Sequence, residues 1–321
     1  MDKEINYDNL RYTDNDSAWG YFFVVLVPLL FQLVVSFILT FIANGQGTTA
    51  AELLKNPAIA AVYYVLNGLC LLAIFLVFNK VRKKKAMTAA KIEFKFGWVN
   101  GIICAILAFV VLFGFNSFIN LISSLMATAG YNPDASMPLP INTVGDLFLN
   151  LFVLAVVPAI CEELIYRGII LNGMRKFGAH AAVFASAAIF AIAHGSAMQT
   201  VYQFILGIVL GYILIRTGSL ISSMIVHFLN NAIIVFVNYF SPGAGSEVST
   251  IASWSALDIV LAICMAMASV AAIILLFYFI KPKKAEMLYE KKNEKINQAA
   301  LTIIVISAII SFIIWCLGTF L

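Results

Sequence analysis

The sequence predicts an all-α, polytopic membrane bundle of about nine spans, with the N-terminus inside and the C-terminus outside. Apolar residues fill 62% of the 321-residue chain and charged residues only 11%, against roughly 25% charged in a soluble globular chain. Mean hydropathy is +0.97. The apolar residues lie in long continuous runs, where a membrane barrel would show alternating segments of about ten residues. This composition excludes a soluble enzyme, a disordered chain, a coiled coil and a disulfide scaffold.

A bilayer core about 30 Å thick requires about 20 apolar residues per helix. Nine runs meet or approach that length. The first three cover about Ala18–Ala43, Pro57–Phe78 and Trp98–Leu125. The next four cover about Val144–Leu171, Ala179–Ala197, Val201–Ile215 and Leu220–Phe240, and the last two Trp254–Ile280 and Ala299–Leu321. The sixth is the shortest. The polar, acidic start and the length of the first run argue for a retained helix over a cleaved signal. Three regions follow: an N-terminal one at 1–143, a polar-bearing core at 144–240 and a C-terminal one at 241–321.

Orientation follows from Lys and Arg, which collect in cytoplasmic segments. With the N-terminus inside, every one of the 20 Lys and Arg except Lys55 and Arg167 falls in an inside segment or at its edge. The net charge of +4 is therefore a topology signal, and nucleic acid is not an expected partner. Trp19, Trp98, Trp254 and Tyr239 lie near span ends, as interfacial anchors do. The basic stretch Lys80–Phe96 is expected on the inner surface near anionic lipid, Lys281–Gln298 as a solvated inner helix, and Met126–Thr143 as an irregular outer loop. Cys70, Cys104, Cys161, Cys264 and Cys316 fall inside apolar runs without C-x-x-C spacing, so they are read as small buried hydrophobes.

An ionisable residue at a helix centre costs about 2.5–3.5 kcal/mol on insertion scales and marks a functional candidate. The fourth run holds Glu162, Glu163 and Arg167, the fifth ends in His194, and the seventh holds His227, Asn230 and Asn231. Glu163 and Arg167 are four apart with Glu first, the favourable order for an ion pair. Glu162 is rotated by about 100° and remains free, sharing a face with Tyr166. His227 and Asn231 also share a face, while Asn230 turns toward packing. Counted at about 1.5 Å per residue from the inner basic residues, Glu162, His194, His227 and Asn231 reach similar depth near the midplane. Pro158, one turn before Glu162, leaves the carbonyl four residues back without its N–H partner. Asn67, Asn116 and Asn120 are expected in interhelical hydrogen bonds. His180 is read as interfacial and Phe190 as packing. Gly207 and Gly211 form a G-x-x-x-G that permits close helix approach.

A buried carboxylate that stays ionised acts as a general base on water. A His can position that water, and a second His with an Asn amide supplies donors to an oxyanion. The same Glu162, His194 and His227 are also plausible zinc ligands, leaving a position open for water. No H-E-x-x-H occurs.

The motifs E-E-x-x-x-R at Glu162–Arg167, F-x-x-x-H at Phe190–His194 and H-x-x-x-N at His227–Asn231 resemble, in order, those of the CPBP family. This family comprises type II CAAX prenyl endopeptidases and bacteriocin-processing or self-immunity proteins, also called Abi proteins. The resemblance covers roughly Val144–Phe240. It implies an intramembrane endopeptidase in which Glu162 is the general base and His194 its partner on the attacking water. His227 and Asn231 would stabilise the oxyanion, and Glu163 and Arg167 would hold the geometry. It implies a membrane-associated protein or peptide as substrate, a multi-pass location in a prokaryotic cell membrane, and no certain cofactor, zinc being the candidate. Two other functions use the same residues: a non-proteolytic bacteriocin self-immunity or binding protein, and a proton-coupled transporter. The absence of internal repeats and the clustering at one depth disfavour the transporter. Nothing in the sequence bears on oligomeric state.

Overall fold

The computed structural model describes residues 10–93, 97–131, 139–242, 250–280 and 297–320, and every regular element among them is helical. Among the described residues, eight helices are long and apolar enough to cross a membrane. They are α1 (Asp14–Gln46), α3 (Pro57–Val81), α5 (Trp98–Thr128), the continuous helix Val144–Leu171, α9 (Ala197–Thr217), α10 (Leu220–Phe240), α11 (Ala256–Phe279) and α12, which contributes Gln298–Gly318 of its Gln298–Phe320 extent. Two short helices, α2 (Ala50–Leu54) and α4 (Ala86–Ala89), lie between the early spans. Within Val144–Leu171, α6 (Val144–Asn150) and α7 (Val157–Glu163) are separated and followed by π-helical turns at Leu151–Val156 and Leu164–Leu171.

The fifth and sixth runs exchange the lengths expected of them. The fifth is α8 (Ala179–Ile192), a 14-residue helix about 21 Å long. The sixth, α9, has 21 residues and is a full-length span. The break falls a few residues earlier than expected, in the turn Ala193–Ser196, which includes His194. Gly195 carries φ 64°, a left-handed conformation that L side chains rarely adopt, and the chain reverses there into α9. The reversed pair packs tightly: a Cβ on Gly207 would lie 3.0 Å from Ala187, and one on Gly211 would lie 3.0 Å from Val183. The G-x-x-x-G is thus the contact line between α8 and α9. The C-terminal part of α12 packs beside this turn, with Trp315 Nε1 donating to Thr200 Oγ1 on the first turn of α9 at 2.7 Å.

Three acidic residues near helix starts are explained locally. Asp16, Asp146 and Asp258 each complete a capping box with Thr13, Thr143 and Ser255, satisfying backbone N–H groups that a helix start leaves unpaired. At α1 the box is also an anchor. Asp16 accepts from Arg82 at 2.7 Å and pairs with Lys84 at 3.0 Å, Asp14 pairs with Lys176 at 2.7 Å, and the Asn297 N–H donates to Asp14 at 3.1 Å. Beside them, burial pushes the Tyr12 phenol up, and its hydroxyl donates to Asn79 at 2.7 Å. These contacts gather the start of α1, the end of α3, the segment after Leu171 and the start of α12 at one end of the bundle. Arg82, Lys84 and Lys176 thus lie at the same end.

The stretch Lys80–Phe96 does more than lie on a surface. Ala89 and Ala90 are buried in the main apolar core, and the Leu220 N–H donates to the Lys91 carbonyl at 2.8 Å. Residues 94–96 of this stretch, most of Lys281–Gln298 and the middle of Met126–Thr143 lie outside the described residues. Only Cys104 and Cys161 are buried. Cys264 is exposed, and Cys70 and Cys316 are intermediate. An apolar run directs some side chains outward, where a lipid-facing thiol is tolerated as readily as a core one. Asn116 and Asn120 are likewise exposed on α5 rather than bonded between helices.

Candidate active site

The expected candidates converge where the Val144–Leu171 helix, the α8–α9 turn and α10 meet. Arg167 Nη1 donates to Glu163 Oε1 at 2.6 Å, and both side chains are fully buried. The i,i+4 pair predicted from spacing therefore forms, although its second residue lies in a π-helical turn. Arg167 is held on two further sides. Its Nη2 donates to the Gly207 carbonyl at 3.3 Å, and its guanidinium stacks 4.3 Å from the Phe190 ring centroid. Glycine at 207 matters chemically as well as sterically, since a Cβ there would lie 3.4 Å from Arg167 Nη2.

His227 bridges the two glutamates. Its Nδ1 lies 3.1 Å from Glu163 Oε1, and its Nε2 lies 3.8 Å from Glu162 Oε2. An ionised carboxylate only accepts, so Nδ1 carries the proton and Nε2 faces Glu162. The Glu162 side chain is 22% exposed, and its Oε2 has no hydrogen-bond partner in the protein. The division expected from helix rotation holds: Glu163 neutralises Arg167, while Glu162 is uncommitted.

His194 sits in the turn just beyond α8. Its Nδ1 lies 2.8 Å from the Phe190 carbonyl, which accepts only, so Nδ1–H donates there and Nε2 is left as an acceptor. Phe190 is the hub of this region. Its ring is 4.7 Å from that of His194, 5.8 Å from that of His227 and 5.1 Å from that of Tyr166, all edge-on. It packs, as expected, but against three site residues and the Arg167 cation at once.

Asn231 meets a backbone group. Its Nδ2 donates to the Leu154 carbonyl at 3.0 Å. Leu154 lies in the π-helical turn just before Pro158, and the Asn231 amide reaches its carbonyl across the helix interface and retains one further N–H. Asn230 is buried and donates to Asn231 Oδ1 at 3.3 Å, while Tyr202 donates to Asn230 Oδ1 at 2.5 Å. Tyr202 and the Gly207 carbonyl were missed in the sequence. A tyrosine in an apolar helix is unremarkable, and a backbone acceptor leaves no sequence signal. Asn172 was also missed: it donates to the Arg167 and Gly168 carbonyls at 3.0 and 3.1 Å, closing the π-helical turn below the site.

Among the described residues, no three His, Cys, Asp or Glu side chains group as metal ligands would. Of the three zinc candidates, Glu162 and His227 approach each other to 3.8 Å. His180 lies away from this cluster, 2.5 Å from the Tyr212 hydroxyl at the far end of the α8–α9 pair.

Residues 144–233 match the family described as Type II CAAX prenyl endopeptidase Rce1-like, in agreement with the resemblance carried by the three motifs. Comparison with curated proteins and with solved structures gives no match.

Proposed function

We propose that this chain is an intramembrane endopeptidase that hydrolyses a peptide bond in a membrane-associated protein or peptide, using water activated by Glu162. The carrying observation is the pairing of an uncommitted, largely buried Glu162 carboxylate with His227, beside a second glutamate already neutralised by Arg167. The family match over residues 144–233 supports peptide hydrolysis as the reaction class.

Water held by His194 Nε2 gives up a proton to Glu162 as its oxygen attacks the scissile carbonyl. Glu162 then returns that proton to the leaving amine. His227, held from behind by Glu163, donates from Nε2 to the oxyanion as an imidazolium. The free N–H of Asn231 supplies a second donor. No metal enters these steps.

The N-terminus faces the cytoplasm in this account. The basic segments gathered at one end of the bundle support that orientation. The test is reconstitution of the purified protein in liposomes with membrane-anchored peptides: a prenylated peptide ending in C-a-a-X, a bacteriocin-like leader and a short signalling precursor. Mass spectrometry should find a single internal cleavage in at least one of them. Intact probes throughout would overturn the peptidase reading.

A further inference from the structure

We infer that Tyr202 is a positioning residue for Asn231, fixing which way its amide faces through a directed chain of hydrogen bonds. The inference rests on the peptidase reading and extends it to a residue on α9 outside all three motifs. Its origin is the Leu154 carbonyl. A carbonyl only accepts, so the Asn231 group facing it must be the NH2. The Asn231 oxygen is then turned toward Asn230, which must offer its own NH2 at 3.3 Å. The Asn230 oxygen is turned toward Tyr202, whose hydroxyl must donate at 2.5 Å. Each amide orientation is thus dictated by its neighbour, from one acceptor-only carbonyl at one end to one hydroxyl donor at the other.

The chain has a chemical consequence. An Asn amide presents either two donors or an acceptor, and the two faces differ little in shape. An oxyanion is stabilised by the donor face and repelled by the other. If Asn230 loses the Tyr202 proton, its oxygen is left without a donor, and rotation of both amides becomes less costly. Tyr202 therefore acts at a distance from the reacting atoms, through Asn230, on the group proposed to meet the oxyanion.

Tyr202→Phe removes the hydroxyl and keeps the ring. In full-length protein, kcat should fall about tenfold while KM stays within twofold. In an Asn231→Ala background, the same change should alter kcat by less than twofold, because the group it positions is gone. A tenfold loss in both backgrounds, or none in the first, would overturn the inference. A second readout needs no activity. With Asn selectively labelled by 15N, the Asn231 side-chain NH2 signals, assigned by their loss in Asn231→Ala, should be sharp in the parent protein and exchange-broadened in Tyr202→Phe. Unchanged signals would refute the positioning role directly. Failure of the parent protein to cleave any probe would instead strike the peptidase reading, leaving the spectrum to decide on Tyr202.

Discussion

Replacing Arg167 with methionine removes a cation that touches three groups at once: Glu163 at 2.6 Å, the Gly207 carbonyl at 3.3 Å and the Phe190 face at 4.3 Å. Stripping one partner from a buried ion pair costs about 3–5 kcal/mol, because the remaining charge is left uncompensated. The stacking loss adds about 1–2 kcal/mol, and a methionine sulfur against the same ring returns about 0.3–1.5 kcal/mol. The His227 Nδ1–H, 3.1 Å from Glu163, still donates to that carboxylate and offsets part of the loss. The expected net cost is therefore about 3 kcal/mol. It should be read as unfolding free energy in mixed micelles titrated with sodium dodecyl sulfate and followed by circular dichroism. Glu163→Gln alone should cost a similar amount by orphaning Arg167. The double variant Glu163→Gln/Arg167→Met buries no unpaired charge and should lie within about 1.5 kcal/mol of the parent protein. A loss below about 1 kcal/mol for Arg167→Met, or additive losses in the double variant, would refute the claim that the pair is a mutually dependent buried unit.

Asn231→Ala removes the proposed second oxyanion donor, so kcat should fall about 10²-fold; parent-like kcat would contradict the role assigned to that amide. Cleavage by the purified protein should persist after exhaustive chelation, with elemental analysis alongside, whereas loss of activity restored by zinc would reinstate a metal mechanism. Alkaline phosphatase fused after Leu321 should be active, since that enzyme works only outside the cytoplasm; an inactive but intact fusion would reverse the proposed orientation.

The motifs were legible because charge is conspicuous in an apolar chain. Glu162, Glu163 and Arg167 stand out by composition alone, and the i,i+4 rule correctly paired Glu163 with Arg167. Helix rotation likewise separated Glu162 from that pair. What could not be read depended on backbone detail. The early end of α8 follows from a left-handed Gly195 inside a stretch that hydropathy treats as continuous. The contact between Asn231 and the Leu154 carbonyl needed the register of two helices, since nothing in the sequence says which carbonyl a side chain faces. Asp16, Asp146 and Asp258 resolved into capping boxes, where the spacing from Thr13, Thr143 and Ser255 was visible but unremarked. Tyr202 carried no signal at all until its partner Asn230 was placed.

The central claim is that Glu162 activates the attacking water. Glu162→Gln keeps the shape and removes the basic carboxylate, and general-base catalysis contributes about 10²–10⁴ in rate. Single-turnover cleavage of a membrane-anchored peptide in liposomes is the most direct measurement. The account predicts at least a hundredfold slower cleavage by Glu162→Gln, with substrate binding and thermal stability unchanged. Cleavage at the parent rate would contradict it.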